Sequence, residues 1–373
     1  MCKVIMIGCD LHDKSMLLKI AEGRSKPEMR SVKNTASGRA KMVADLKKRV
    51  AAAGETRVLF AYEASGLGFG LYDELTDVGI ECHVLAPTRI ARSQRQKSQK
   101  TDEKDAQQLL ELLRAHVLAG NDLPTVWIPD ATLRDDRELI RMRIDVAEKI
   151  TATKAQIKSL LKRNHVARAK GTGKGWTRRF CSWLKCGLCE SAESPLGGNA
   201  QSTLASLIRQ LDFLEEEEKR LTELVHALAT GPRYEAAFEE MTSLCGVGLM
   251  TAMVFLTELG DLNRFENRRQ LAAYLGLAPR SSESGEANDR KGPITRQGSS
   301  RVRKMLCQAT WSRVRNDEQE GEVYHRIVAK NPKKKKIAVV ASMRRLAVQM
   351  WHRGKEVQGK PSRSMILAAE AAG

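Results

Sequence analysis

The chain has 373 residues, with 63 Lys and Arg against 45 Asp and Glu and a formal net charge of +18 at pH 7. That length holds two domains and a connector, and the cation excess points to a nucleic acid or another anionic partner. No apolar run nears the ~20 residues of a membrane span, and with aromatics at 5% phosphate contacts rather than base stacking should carry binding.

Met1 to Ile7 is too short for a secretory leader and reads as the start of a first strand, which closes on Gly8-Cys9-Asp10. Ser15 to Ile20 and Glu28 to Val32 follow as the second and third strands of a meander. Ser37 to Ala53 carries apolar residues at helical spacing. Val58 to Tyr62 is a buried strand ending at Glu63, Gly66 to Val78 a helix, and Cys82 to Ala86 a buried strand stopped by Pro87. Arg89 to Lys100 reads as a basic loop. Thr101 then caps a helix whose first turn holds Asp102 and Asp105 and whose apolar part runs from Ala106 to Val117. This order predicts a mixed sheet with helices on its faces.

Asp102 and Asp105, three apart, share a helix face. Taken alone they are favourable first-turn acids. Asp10 and Glu63, however, each close a strand, and sites in such sheets form at the strands' carboxyl ends. If the first and fourth strands are neighbours, four carboxylates converge, a hard-oxygen set suited to Mg²⁺ or Mn²⁺. Cys9, Cys82, Cys245 and Cys307 lie in apolar segments, which predicts reduced thiols in a cytoplasmic protein.

Cys9-Asp10, Tyr62-Glu63-Ala64-Ser65-Gly66 and Lys100-Thr101-Asp102-x-x-Asp105-Ala106 resemble the DEDD domain of one class of bacterial insertion-sequence transposases. That domain is similar to the RNase-H fold of RuvC-type junction resolvases. The resemblance implies that Asp10, Glu63, Asp102 and Asp105 are the catalytic, metal-binding acids, with Mg²⁺ as the ion and Mn²⁺ as a substitute.

From Leu133 the composition shifts to long charged helices. Leu139, Val146, Thr153 and Leu160 recur every seven residues, as do Leu204, Leu211, Glu218 and Val225. These heptads are broken at Arg143, Thr153 and Glu218, and they predict either an antiparallel coiled-coil connector or a buried helical hairpin. Between them, residues 165–201 form a basic insertion. Its Lys170–Gly175 run fails the phosphate-loop pattern, because Arg168 stands where glycine is needed and Gly175 follows the lysine. Cys181, Cys186 and Cys189 are too loosely spaced for a structural zinc site. Trp176, Arg178, Arg179, Trp183 and Lys185 offer a nucleic-acid contact or a solvated loop.

Leu244 to Ala252 has the look of a helix-hairpin-helix turn, in which Gly246 and Gly248 would let backbone amides reach a phosphate. Arg268 to Gly276 is a core helix. Beyond it a Gly/Ser loop with five serines is flanked by Arg280, Arg296, Arg301 and Arg303, all candidate phosphate contacts. Chemistry alone does not choose among the serines. This stretch resembles the second domain of the same transposase class, and the resemblance assigns the nucleophile to Ser284 within Glu283-Ser284-Gly285. A basic turn with Lys334 and Lys335 precedes a last amphipathic helix, and residues 356–373 form a tail that reads as frayed from Gln358 to Gly373.

The expected organisation is therefore an α/β RNase-H-like (RuvC-like) domain over 1–125, an all-α coiled-coil connector over 130–235, and a mainly α-helical transposase domain over 236–355. The resemblance implies a recombinase in the bacterial cytoplasm, nucleoid-associated when active. It also implies donor and target DNA as substrates, an element-encoded structured guide (bridge) RNA, a 5′-phosphoserine intermediate, and a homo-oligomer, a dimer that becomes a tetramer when DNA ends are paired. The alternative is a metal-only junction resolvase in which the acids activate water and no serine adduct forms.

Overall fold

Alternation along the first strand sets the architecture of the N-terminal half. The computed structural model describes residues 3–53, 56–91, 101–281, 291–330 and 332–358. In it β1 (Lys3–Leu11), β2 (Ser15–Glu22), β3 (Glu28–Lys33), β4 (Thr56–Glu63) and β5 (Glu81–Leu85) form one sheet in the order β3-β2-β1-β4-β5. The β1–β2 and β2–β3 pairs are antiparallel, and the β1–β4 and β4–β5 pairs are parallel. The mixed sheet expected from the sequence is thus present, and the two strands that carry Asp10 and Glu63 at their carboxyl ends are neighbours.

Ile5, Ile7 and Cys9 of β1 join Phe60 and Tyr62 of β4 in a core under Met42 and Leu46 of α1 (Ala36–Ala53) and Leu71 and Leu75 of α2 (Gly70–Thr76). The other parity, Met6 of β1 with Leu59 and Ala61 of β4, packs under Leu109, Leu110 and Leu113 of α3 (Asp102–Ala119). Period two therefore sends Asp10 and Glu63 to the α3 face. The second helix is shorter than the expected Gly66–Val78. Its N-cap is Phe69, which gives no side-chain cap bond, and Gly68 takes a positive φ of 71°, so the preceding turn cannot continue the helix.

The chain divides into two compact units, one ending at Pro129 and the other starting at Asp130. In the second, α4 (Ala131–Arg163) and α6 (Gly198–Ala229) pair antiparallel. Arg143 and Glu218, two of the heptad breaks, meet each other at 2.9 Å, and Arg143 also donates to Thr222 Oγ1 at 2.6 Å. Thr153 satisfies its hydroxyl on the Lys149 carbonyl.

One end of this hairpin packs under the insertion through Phe180, Leu184, Leu188 and Leu196. There α5 (Arg178–Ser182) runs on into a π-helical turn over Trp183–Cys189. Arg168, the residue that breaks the phosphate-loop pattern, gathers the carbonyls of Thr172, Lys174 and Gly175 and lies over the Phe180 ring. The other end, through Ile140, Ile144, Val225 and Ala229, merges into a helical core with Met241, Phe255, Leu306 and Trp351.

That core is completed by α7 (Glu235–Thr242), α8 (Leu249–Leu259), α9 (Arg268–Tyr274), α10 (Ser300–Asn316), α11 (Glu318–Lys330) and α12 (Lys335–Val357), with a short hairpin of β6 (Pro279–Ser281) and β7 (Lys291–Ile294). The last helix passes the expected boundary at 355, and Gln358 is pinned rather than frayed. Its side chain accepts from Leu262 N and donates to the Gly260 carbonyl. No described helix is long and apolar enough to cross a membrane.

Candidate active site

The end of the sheet gathers acids because three local rules agree. β1 and β4 are in parallel register with Cys9 opposite Tyr62, so Asp10 and Glu63 are the next residues along two adjacent strands. Thr101 caps α3 by accepting from Lys104 N at 3.3 Å, which starts the helix at Asp102. Gly8 then lets α3 close onto β1, since a Cβ there would overlap the Ala106 carbonyl oxygen and the Leu110 amide. The helix start is held over the strand end as a result.

Asp10, Asp102 and His12 come together, with one ligand atom of each within 4.8 Å of the others. His12 Nε2 lies 3.1 Å from Asp10 Oδ2 and 3.5 Å from Asp102 Oδ1. The Asp10 side chain is 17% exposed, while that of Asp102 is 65% exposed, so one carboxylate is sunk and the other reaches from solvent. Burial pushes the Asp10 pKa up. His12 opposes that shift by charge and hydrogen bond, and Asp102 and Asp105 reinforce it. Asp105 is buried on the inner side of α3. Glu63 stands at the end of β4 on the same sheet face. Neither Asp105 nor Glu63 belongs to the three-residue cluster.

His12 is the residue that motif reading misses. It follows the strand by one position, and the signal that could have found it is its parity with Asp10. Lys19 is a second omission. It sits buried on β2 opposite Gly8, and its Nζ donates to Glu103 of α3 at 2.7 Å. This pair anchors the first turn of the acid-bearing helix to the sheet and holds the Glu103 carboxyl below its ordinary range.

A divalent cation fits this donor set. A sunken carboxylate resists ionisation until a positive charge faces it, and the two carboxylates with an imidazole between them are close enough to share one ion. Among the described residues Cys181, Cys186, Cys189 and His165 form no group of three at ligand distance.

The phosphate candidates of the second unit have varied surroundings. Ser284, with the rest of residues 282–290, lies outside the described residues. Gly246 takes a φ of 83° and its Cα faces the backbone of α10, where a Cβ would meet Ala309 O at 2.6 Å. Gly248 has open space around it. Arg303 donates to the carbonyls of Leu275 and Gly298, and Arg301 faces Asp145 at 3.6 Å. Arg296 takes a left-handed φ of 57°, Arg280 lies on β6, and Lys334 and Lys335 are exposed at the start of α12.

Comparison with known proteins agrees with this geometry. Residues 7–166 match the DEDD family of IS110, described as a transposase. Residues 239–326 match the family described as transposase IS116/IS110/IS902. A Sinorhizobium fredii protein named as a transposase, y4qE, is 33% identical over 68% of this chain and 58% of its own length. A second from the same organism, y4rJ, is 27% identical over 83% of this chain and 80% of its own length. The transposase for insertion sequence element IS1111A of Coxiella burnetii is 26% identical over 65% of this chain and 62% of its own. The chain thus spans less than two thirds of the first of these relatives. The first match runs from β1 through α4 and the second lies within the helical core, in chain order, so the chain carries both domains of the IS110-family transposases.

Proposed function

We propose that this chain is the DNA recombinase of an insertion sequence, cutting and rejoining strands through a covalent serine adduct. The observation that carries the reading is the convergence of Asp10, Asp102 and His12 at the end of the β1–β4 strand pair. Asp10 and Asp102 would hold a divalent cation, with Glu63 and Asp105 beside them. Mg²⁺ suits these oxygen donors and Mn²⁺ would substitute. Bound there, the ion would supply positive charge to the non-bridging oxygens of a scissile phosphate. The chain's own part is to keep Asp10 ionised and oriented through His12 and to hold α3 in place through Lys19.

Ser284 supplies the nucleophile. Its oxygen bonds to phosphorus, the bond from phosphorus to the 3′ oxygen breaks, and the serine proton ends on that leaving oxygen. A 3′ hydroxyl of the partner duplex then attacks the phosphoserine ester and releases Ser284. One phosphoester replaces another at each step, so no nucleotide hydrolysis is needed.

The resemblance to guided recombinases and the net charge of +18 support an element-encoded RNA that pairs with donor and target DNA. They also support an oligomer in which one subunit's acids act with another's Ser284.

The test is adduct trapping on a DNA substrate carrying the element's junction, with the co-purified RNA retained. Wild type should give a protein–DNA adduct that Ser284→Ala lacks, and Asp10→Asn should lose cleavage while keeping nucleic-acid binding. Cleavage that persists in Ser284→Ala would establish the metal-only resolvase instead.

A further inference from the structure

The second unit contains a groove of about 700 Å³ between α9, α11 and α12 that none of the site assignments above uses. Its rim holds Arg268 and Arg269 from α9 and Arg344 and Arg345 from α12. Between these cations the walls are aliphatic, from Val323 and Ile327 of α11 and Val348 of α12. Arg268, Arg269 and Arg344 make no ion pair or side-chain hydrogen bond among the described residues. Three guanidinium groups around one groove repel one another unless an anion joins them. Arg345 is oriented from below, its Nε donating to Glu320 Oε1 at 3.0 Å. The same carboxylate oxygen takes Arg313 Nη2 at 2.9 Å, and Arg313 Nη1 donates to Gln349, which also lines the groove.

One further observation points to a ligand. Ser342 lines the groove at 6% exposure, and its buried hydroxyl has no hydrogen-bond partner. A helical serine ordinarily returns its hydroxyl to a carbonyl one turn back, as Thr153 and Thr257 do here. A buried hydroxyl left unpaired is costly unless something occupies the space beside it.

We propose that this groove binds the sugar–phosphate backbone of single-stranded DNA, with phosphates on the arginine rim and deoxyribose against the aliphatic walls. The volume suits one or two nucleotides and not the ~20 Å girth of a duplex. A ribose 2′ hydroxyl would face Val323, Ile327 and Val348 without a partner, so the walls favour DNA over RNA. The Ser342 hydroxyl donates to a phosphate oxygen. Among the described residues no aromatic side chain lines the groove, so bases are not stacked there and binding is indifferent to sequence. The proposal takes from the recombinase reading only that cut DNA is present, and the groove belongs to the unit that lacks the acids.

The test is fluorescence anisotropy of the full chain with a labelled 12-nucleotide single strand, the matching duplex and the same sequence as RNA, each across a salt series. A R268Q/R344Q double variant should bind the DNA single strand about tenfold more weakly per arginine removed. The slope of log affinity against log salt should fall by about 0.7 per arginine. Ser342→Ala should also weaken single-strand binding, with no loss of thermal stability, because its hydroxyl has no partner to lose. All titrations are run in chelator and read binding without cleavage, which separates this groove from the acid cluster. An equal loss for duplex and single strand, a larger loss for RNA than for DNA, or an unaltered single-strand affinity in the double variant would each overturn the proposal.

Discussion

Gly8 of β1 lies directly against the backbone of Ala106 in α3, and this contact sets how near Asp102 comes to Asp10. A methyl group at position 8 would overlap the Ala106 carbonyl oxygen and the Leu110 amide nitrogen, and would sit 3.1 Å from the Leu109 carbonyl carbon. All three are main-chain atoms of one helix, so relief requires moving the helix and not a side chain. Gly8→Ala should cost about 2–3 kcal/mol of unfolding free energy and weaken Mn²⁺ binding at the acid cluster. Urea denaturation and Mn²⁺ calorimetry check both. Gly70→Ala is the control, since a Cβ there meets nothing within 4 Å and the helix gains propensity. Equal losses in the two variants would remove the packing explanation.

Asp10 is destabilising to the metal-free fold when ionised. Burial first, then Asp102 and Asp105, raise its pKa against the opposing effect of His12. A raised folded pKa gives a contribution that is present below the ordinary carboxylate range and lost as pH rises through the shifted value. At pH 7 in chelator, Asp10→Asn should therefore melt above wild type, by about 2 °C. Excess Mn²⁺ should reverse that order, raising wild type and leaving the variant unmoved. Calorimetric scans with chelator and with metal decide it, and a variant that gains stability from Mn²⁺ would remove Asp10 from the ligand set.

That Asp10 and Glu63 lie at strand ends and that Asp102 and Asp105 open a helix was legible because each placement rests on a local rule. Asp10 and Glu63 end apolar runs, and Asp102 and Asp105 follow a capping threonine at helical spacing. His12 was not, because Leu11 separates it from the acid it serves and only parity connects them. Lys19 lies within a short strand run, and its burial beside the start of α3 is a long-range fact. The same limit applies to the basic residues. Arg303 and Arg301 read as phosphate contacts by charge alone, whereas their nearest partners are the carbonyls of Leu275 and Gly298 and the carboxylate of Asp145. Arg268 and Arg344 sit in different sequence blocks, so no window along the chain joins them into a groove. The heptad breaks were visible, but that Arg143 and Glu218 break the pattern to meet each other was not.

Two reciprocal ion pairs fasten α1 to β3. Arg30 of β3 reaches Asp45 at 2.5 Å, and Arg49 of α1 reaches Glu28 at 3.0 Å. The hydrogen bond from Arg49 holds the Glu28 carboxyl below its ordinary range, and that from Arg30 does the same for Asp45. Depressed folded values give stability that is present above the unfolded pKa and lost as pH falls through the folded one. Exposed pairs contribute little to global stability, so the effect is local. Hydrogen exchange of α1 amides should quicken below pH 4 ahead of β1 and β4. Glu28→Gln should show part of that quickening already at pH 7. Exchange in α1 that tracks the central strands at every pH would mean the pairs do not fasten it.

Glu320 is the buried counter-charge of the helical unit, at 6% exposure. Its Oε1 accepts from Arg313 at 2.9 Å and from Arg345 at 3.0 Å, and the Arg313 side chain is itself only 9% exposed. Removing the carboxylate leaves a guanidinium away from water with only Asp317, 3.8 Å from its Nε, to offset the charge. Glu320→Ala should therefore cost about 3–5 kcal/mol. Replacing both partners, Arg313→Met with Glu320→Leu, removes the stranded charge together with its counter-charge and should recover most of that loss. Chemical denaturation of the two variants measures the difference. If the double variant is as unstable as the single one, the pair contributes through its shape and hydrogen bonds rather than by compensating a buried charge.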